Sequence, residues 1–184
     1  MKTAHVYVAP GFEEVELVTI VDILRRADIK VLMVALDDVQ AVTGAHGITV
    51  QADIPFAGAH GLFADAIILP GGGPGTQALL KKTELIPRLQ AHLAAERKVA
   101  AICAAPMVLA RAGILAGRQA TCFPGCESVL IEGKAQVWGH NVVNDGPITT
   151  SRGAGTASLF ALDLVRQLAG EDQARKVGRA MLFL

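Results

Sequence analysis

The apolar positions of this chain fall into two alternating kinds of segment. Short runs rich in Val, Ile and Ala are followed by longer stretches in which apolar residues recur at helical spacing. That alternation is the signature of βαβ units around a buried, mostly parallel sheet. Residues 5–9 read as a first strand. Residues 13–27 read as a helix, with acids in its first turn and Arg25 and Arg26 in its last, both matched to the helix dipole. Residues 30–36 form a second strand, apolar as a strand buried on both faces must be. The turn-rich stretch 43–50 alternates weakly and reads as a hairpin or edge segment.

Next comes a short strand at 65–69, ended by Pro70 and three glycines. Residues 77–96 are helical with a break expected near Pro87. A strand at 99–102 runs directly into Cys103 and a helix over 106–111, whose leading proline suits a first turn. Short strands follow at 120–122, 135–138 and 147–151, then an apolar helix over 156–168 and a further helical segment. No repeat, low-complexity tract or linker interrupts the pattern. The expectation is one α/β domain over residues 1–184, a mostly parallel sheet with helices on both faces.

Composition narrows the function. At 184 residues and 52% hydrophobic content, the chain can bury a full core without disulfide or metal staples. Lys and Arg total 17 against 17 for Asp and Glu, and no basic run or aromatic–basic interleaving occurs, which argues against nucleic acid as a partner. The opening apolar run is broken by Pro10 and Gly11, unlike a signal peptide, and no apolar stretch reaches the ~18 residues of a membrane span. Three cysteines suit a reducing compartment better than a disulfide framework, so a soluble cytoplasmic protein is expected.

Open α/β sheets gather ligand and catalytic groups at the carboxyl ends of their strands. Three segments end strands here with suitable chemistry. The first is the run from Val99 to Pro106, which delivers Cys103 to a small-residue turn before a helix, as a nucleophile elbow does. Helix N–H groups and the dipole would lower the pKa of a thiol placed there. Cysteine is equally a common buried residue, so Cys103 reads either as a nucleophile or as a small core hydrophobe. The second segment is the loop from Pro70 to Gly75. It lacks the Gly-Lys-Ser/Thr of a nucleotide loop and serves either as an oxyanion hole or as a simple turn. The third is the acid cluster Glu13, Glu14 and Glu16. Glu13 and Glu14 read as solvated dipole partners. Glu16, with Ile20 and Ile23 four and seven residues on, borders the buried stripe, where desolvation would raise its pKa.

Taken in order, VAPGFEEVE, LPGGGPG, AAICAAP and TTSRGAGT resemble the ThiJ/PfpI superfamily over nearly the whole chain, and within it the branch of the Parkinsonism-associated protein deglycase and bacterial YajL. The resemblance implies a flavodoxin-like sandwich and a homodimer. It implies a nucleophilic, readily oxidised Cys103 hydrogen-bonded to a protonated Glu16, with Gly72 and the amide of Ala104 around the reacting oxygen. Ser151, Arg152 and Gly153 would sit near the pocket and dimer seam, as would Arg25 and Arg26. Two departures stand out: Ala104 replaces the histidine that follows the cysteine in PfpI-type proteases, which argues against proteolysis, and Phe123 stands where the Parkinsonism-associated protein has a histidine, as it does in YajL.

The activity so implied is cofactor-free and metal-free. A cysteine enzyme would convert 2-oxoaldehydes such as methylglyoxal, or their early adducts with protein thiols and amines, to 2-hydroxy acids, as glyoxalase III and protein deglycases do. The alternative is an oxidative-stress sensor or chaperone working through oxidation of Cys103. Amidotransferase chemistry is disfavoured, because the only histidine after Cys103, His140, is followed by Asn141 and Val142 rather than by a paired acid. His5, His46, His60, His92 and His140 show no metal-like spacing and read as surface or local-structure residues; His46 lies in a loop that approaches the partner's active site in the family. Cys122 and Cys126 read as spectator thiols, and Trp138 as a packing residue.

Overall fold

In the computed structural model, which describes residues 1–183, one seven-stranded sheet organises the chain. Its strands are β1 (Thr3–Val8), β2 (Lys30–Ala35), β5 (Ile54–Pro55), β6 (Ala66–Leu69), β7 (Lys98–Ile102), β10 (Val142–Asp145) and β11 (Ile148–Ser151), in the order β10-β11-β7-β6-β1-β2-β5. All neighbours are parallel except β10 and β11. Two small satellites accompany it: the hairpin of β3 (Ala41–Thr43) and β4 (Thr49–Gln51), and the pair β8 (Gln119–Ala120) with β9 (Gln136–Val137).

Helices cover both faces because alternate residues of the central strands point to opposite sides. Val6 and Val8 of β1 pack with Ile20 and Leu24 of α1 (Glu14–Arg26) and with Phe160 and Leu164 of α6 (Ala157–Ala169), flanked by α7 (Glu171–Ala180). Tyr7 faces the other layer, with Leu79 of α2 (Gly73–Lys81), Leu85 and Leu89 of α3 (Leu85–Ala94), Val108 of α4 (Pro106–Arg111) and Leu130 of α5 (Glu127–Glu132). The two-sided burial explains why the strands read as continuous apolar runs.

The expected architecture is therefore present, with local differences. The break in the 77–96 helix falls at residues 82–84, and Pro87 sits inside the first turn of α3, where its missing N–H costs nothing. α2 begins at Gly73, earlier than the apolar pattern indicated, with Pro74 in its first turn. β10 and α5 had no clear signal: β10 is a partly exposed edge strand carrying Asn144 and Asp145, and α5 is six residues with one fully buried position.

Strand order reverses beside β1, since β2 lies on one side and β6 and β7 on the other. The crevice at such a switch point is where open α/β sheets place ligands. Here it receives the loops leaving β1, β6 and β7.

Candidate active site

Cys103 follows β7 with φ 65°, a left-handed conformation that costs a non-glycine residue about 1–2 kcal/mol. Hydrogen bonds on both sides impose it: the Cys103 amide donates to the Ser151 carbonyl at 2.9 Å, and the Phe123 amide donates to the Cys103 carbonyl at 2.8 Å. Strain over-determined by its surroundings is a mark of functional positions. The sharp turn leaves the thiol partly exposed, whereas Ile102 and Ala105 on either side of the turn are fully buried. Ala104 and Ala105 are small enough to let the neighbouring loops close in.

Glu16 reaches the same place from α1. Its side chain lies on the helix face that also buries Ile20 and Ile23, and its exposure is 0%. Oε2 accepts the Gly71 amide at 2.7 Å, while Oε1 is buried without a hydrogen-bond partner. Burial raises the Glu16 carboxyl to about 7, against the opposing pull of the Gly71 amide and of Cys103. The sequence placed this residue at the border of the buried stripe; it belongs to the stripe.

The glycine loop after β6 closes the third side. Gly72 has φ 93°, and a Cβ there would come within 2.4 Å of the Gly11 carbonyl oxygen, so only glycine fits. The loop is tied back by Glu13 N–H to the Gly71 carbonyl at 3.0 Å and Gly75 N–H to the Gly11 carbonyl at 2.9 Å. The amides of Gly72 and Ala104 both favour the thiolate form of Cys103. Two N–H donors therefore face the sulfur, as an anion-stabilising site requires.

The expectation of a lowered thiol pKa needs correction. Burial, and the charge of Glu16 when ionised, push the Cys103 thiol up to about 12 against the pull of the two amides. The pair shares one negative charge. Glu16 is fully buried with one oxygen unpartnered, whereas Cys103 is partly exposed and faces two amides, so the site can also seat that charge on sulfur when the carboxyl holds the proton. The thiolate is favoured only while Glu16 keeps its proton.

The remaining predicted residues divide. Gly153 belongs to the site: a Cβ on it would lie 4.0 Å from Cys103 Sγ and 3.3 Å from the Phe123 ring. Ser151 acts through its backbone, because its hydroxyl is spent on the Asn141 carbonyl and Thr156, both at 2.7 Å. Arg152 donates to the Gly139 carbonyl at 3.0 Å and lines a separate cleft with Cys122 and Trp138. Arg25 and Arg26 are not at the pocket; they end α1 near the amino end of β2, bonded to Asp53 and Asp22. Nine residues of helix at ~1.5 Å each put Arg25 roughly 13 Å along α1 from Glu16.

Glu14 is not a solvated dipole partner. It is buried, and its carboxylate takes the His46 amide at 2.7 Å, the His46 ring at 2.8 Å and the Ile48 amide at 3.4 Å, pinning the β3–β4 hairpin tip over α1. Although burial opposes it, these bonds bring Glu14 down to about 2. His46, raised by Glu14 and Glu13, is thereby placed near the start of the helix that carries Glu16. Gly71, which separates Glu16 from Cys103, was hidden in the sequence as one of three adjacent glycines.

A strained cysteine, a buried glutamate and a glycine loop converge at one place, and the DJ-1/PfpI family profile matches residues 2–167. The chain belongs to the DJ-1/PfpI family. Among its relatives, Protein dj-1beta of Drosophila melanogaster is 36% identical over 181 residues, 98% of this chain and 97% of the relative. The glutathione-independent glyoxalase DJR-1.2 of Caenorhabditis elegans is 32% identical, covering 96% of this chain and 94% of that protein. The crystal structure of Drosophila melanogaster DJ-1beta superposes with a TM-score of 0.94 at 35% identity, over 98% of this chain and 97% of that one. The flavodoxin-like fold expected of a DJ-1/PfpI member is thus shown. No described helix is long and apolar enough to cross a membrane.

Proposed function

We propose that this chain is a glyoxalase-type enzyme that converts 2-oxoaldehydes such as methylglyoxal to 2-hydroxy acids, with Cys103 as nucleophile and Glu16 as its acid–base partner. The observation that carries the reading is the approach of the buried Glu16 carboxyl to Cys103 across Gly71, in a pocket that also holds two backbone N–H donors. The likeness to a glutathione-independent glyoxalase supports it.

The Cys103 thiolate attacks the aldehyde carbon, forming a C–S bond while the carbonyl oxygen takes the negative charge and then a proton. The amides of Gly72 and Ala104 stabilise that oxyanion. Glu16, ionised after giving its proton to that oxyanion, removes the hydrogen of the hemithioacetal carbon and returns it to the neighbouring carbon, while the hydroxyl proton of the first carbon passes to the neighbouring oxygen. A carboxyl raised to about 7 is suited to moving in both directions at neutral pH. The resulting thioester is cleaved by water, which releases lactate and restores the thiol. Early adducts on protein thiols and amines offer the same hydroxy-carbonyl unit and are the second substrate class.

Formation of lactate from methylglyoxal by the wild type and by Cys103→Ala tests the reading. Loss of activity in the variant is expected; equal rates would remove Cys103 from the mechanism.

A second reading rests on the same sulfur. Peroxide would oxidise the thiolate to sulfenic and then sulfinic acid, with the Glu16 carboxyl donating to the sulfinate, which would make the chain an oxidative-stress sensor or chaperone. The partial exposure of Cys103 and the closeness of the Glu16 carboxyl on the other side of Gly71 favour it. Intact mass after dilute peroxide should show selective oxidation at this residue.

We also propose a homodimer. Val15 and Val18 are exposed on α1, beside an apolar groove lined by Leu17, Val21, Met33 and Val50. Size-exclusion chromatography with light scattering should return twice the chain mass.

A further inference from the structure

The layer opposite Glu16 holds a cleft of about 370 Å³ that the chemistry above does not use. It lies between α3 and the sheet, lined by His5 and Tyr7 of β1, by the 59–62 turn, and by Arg88, His92 and Arg97 on and after α3. Arg97 precedes β7 and Cys103 follows it, so six residue steps at ~3.3 Å each put Arg97 roughly 20 Å along the chain from Cys103.

Two arginines line the cleft, and neither has a carboxylate partner among the described residues. Arg88 is stacked over the Phe56 ring at 4.5 Å and donates one hydrogen bond, to the Tyr7 hydroxyl at 2.7 Å. Arg97 is stacked over the Phe63 ring at 4.3 Å. Stacking occupies the faces of these planar groups and leaves their in-plane N–H donors for an anion. The one acid on the cleft wall, Glu84, lies near Lys82 at 3.9 Å.

The floor supplies a second, independent observation. His5 and His92 are 3% and 7% exposed, and the Nε2 atom of each is buried without a hydrogen-bond partner. Unpartnered buried nitrogens are rare in folded proteins and call for a ligand or water to meet them. Burial first, and then the nearby positive charge of Arg88 and Lys30 for His5 and of Arg97 for His92, lowers both rings toward the neutral form, at His92 against the pull of the Asp65 and Lys98 backbone. That field repels a cation. The histidines also do not form a metal cluster: among the described residues the one group of three ligand atoms within 4.8 Å of one another is Glu13, Glu14 and His46.

We propose that this cleft binds a small organic phosphate, its dianionic group held by Arg88 and Arg97 with His5 and His92 as hydrogen-bond partners. A phosphate offers three oxygens to donors arriving from different directions, which suits two guanidiniums and two imidazoles better than a carboxylate does. The space exceeds that of the anion alone, and Leu62, Ile67 and Pro87 provide apolar wall for a short carbon body.

Calorimetric titration with glycerol phosphate at neutral pH, with inorganic phosphate and glycerol in parallel, tests the site. Saturable one-to-one binding of glycerol phosphate is expected, with no binding of glycerol. Arg97→Gln should weaken it about tenfold while keeping the wild-type melting temperature and lactate production, and Cys103→Ala should bind as the wild type does. His92→Gln gives a second reading of the same seat and should weaken binding severalfold. Absence of saturation, or unchanged affinity in both Arg97→Gln and His92→Gln, would overturn the proposal. Inorganic phosphate binding as tightly as the ester would overturn the assignment to an organic ligand.

Discussion

Gly71 donates its amide hydrogen to Glu16 Oε2 at 2.7 Å, and a methyl group on its α-carbon would lie 2.8 Å from that same oxygen and 2.5 Å from Cys103 Cβ. The glycine is thus the spacer that lets carboxyl and thiol approach each other. A third contact, 2.9 Å to the Ile102 carbonyl oxygen, is with backbone and cannot swing aside. Gly71→Ala should therefore destabilise the fold by about 1–3 kcal/mol, the usual range for overpacking, and abolish turnover. Thermal unfolding should show a fall of several degrees, at about 2–4 °C per kcal/mol for a chain of this size.

Glu16 predicts how stability responds to pH. Its carboxyl ionises near 4.5 when unfolded and near 7 when folded. The folded state therefore binds the extra proton, and this contribution is fully present below pH 4.5 and lost as pH rises through 7. Glu16→Gln removes the titration, so its melting temperature should change less than that of the wild type between pH 5 and pH 8. The difference should be on the order of 3 kcal/mol at most. Alkylation of Cys103 across pH should show two inflections in the wild type, where the pair titrates as a unit, and one in Glu16→Gln.

The Glu14 clamp has its own pH window. Glu14 is depressed to about 2, so its contribution is present above 4.5 and is lost as pH falls toward 2. His46 is raised above its usual 6.5, so its share is present below 6.5 and is lost as pH climbs through its elevated folded value. Protection of the His46 and Ile48 amides from hydrogen exchange should accordingly be greatest between about pH 5 and 6.5. Glu14→Ala should lower global stability by about 2 kcal/mol, in line with lost hydrogen bonds to a charged acceptor.

Gly153 isolates access from folding. Its φ of 161° is extended backbone open to any residue, yet an added methyl would stand 4.0 Å from the sulfur and 3.3 Å from the Phe123 ring. Gly153→Ala should leave the melting temperature within a degree or two and raise KM severalfold with a smaller effect on kcat. A matched fall in stability would place its role in packing instead.

The order of strands and helices was legible because both faces of the sheet are buried, which writes continuous apolar runs at β1, β6 and β7. The pairing of Glu16 with Cys103 was legible through motif order and through the position of Glu16 four and seven residues before Ile20 and Ile23. What remained hidden depends on contacts distant in sequence. Glu14 looks like any acid in a first helical turn until the hairpin tip at His46, 32 residues on, folds over it. His5 and His92 look like ordinary surface residues, and only the packing of α3 on β1 buries them. Arg25 and Arg26 matched a family expectation, but helix length carries them away from the pocket.

The central claim is that the Cys103 sulfur bonds to the substrate while Glu16 moves its proton. Peptide mass mapping of Glu16→Gln after incubation with methylglyoxal tests it most directly. The account predicts an adduct of one methylglyoxal accumulating at Cys103, because attack proceeds and the proton transfer that follows does not. No adduct at Cys103, with lactate still formed at the wild-type rate, would contradict it.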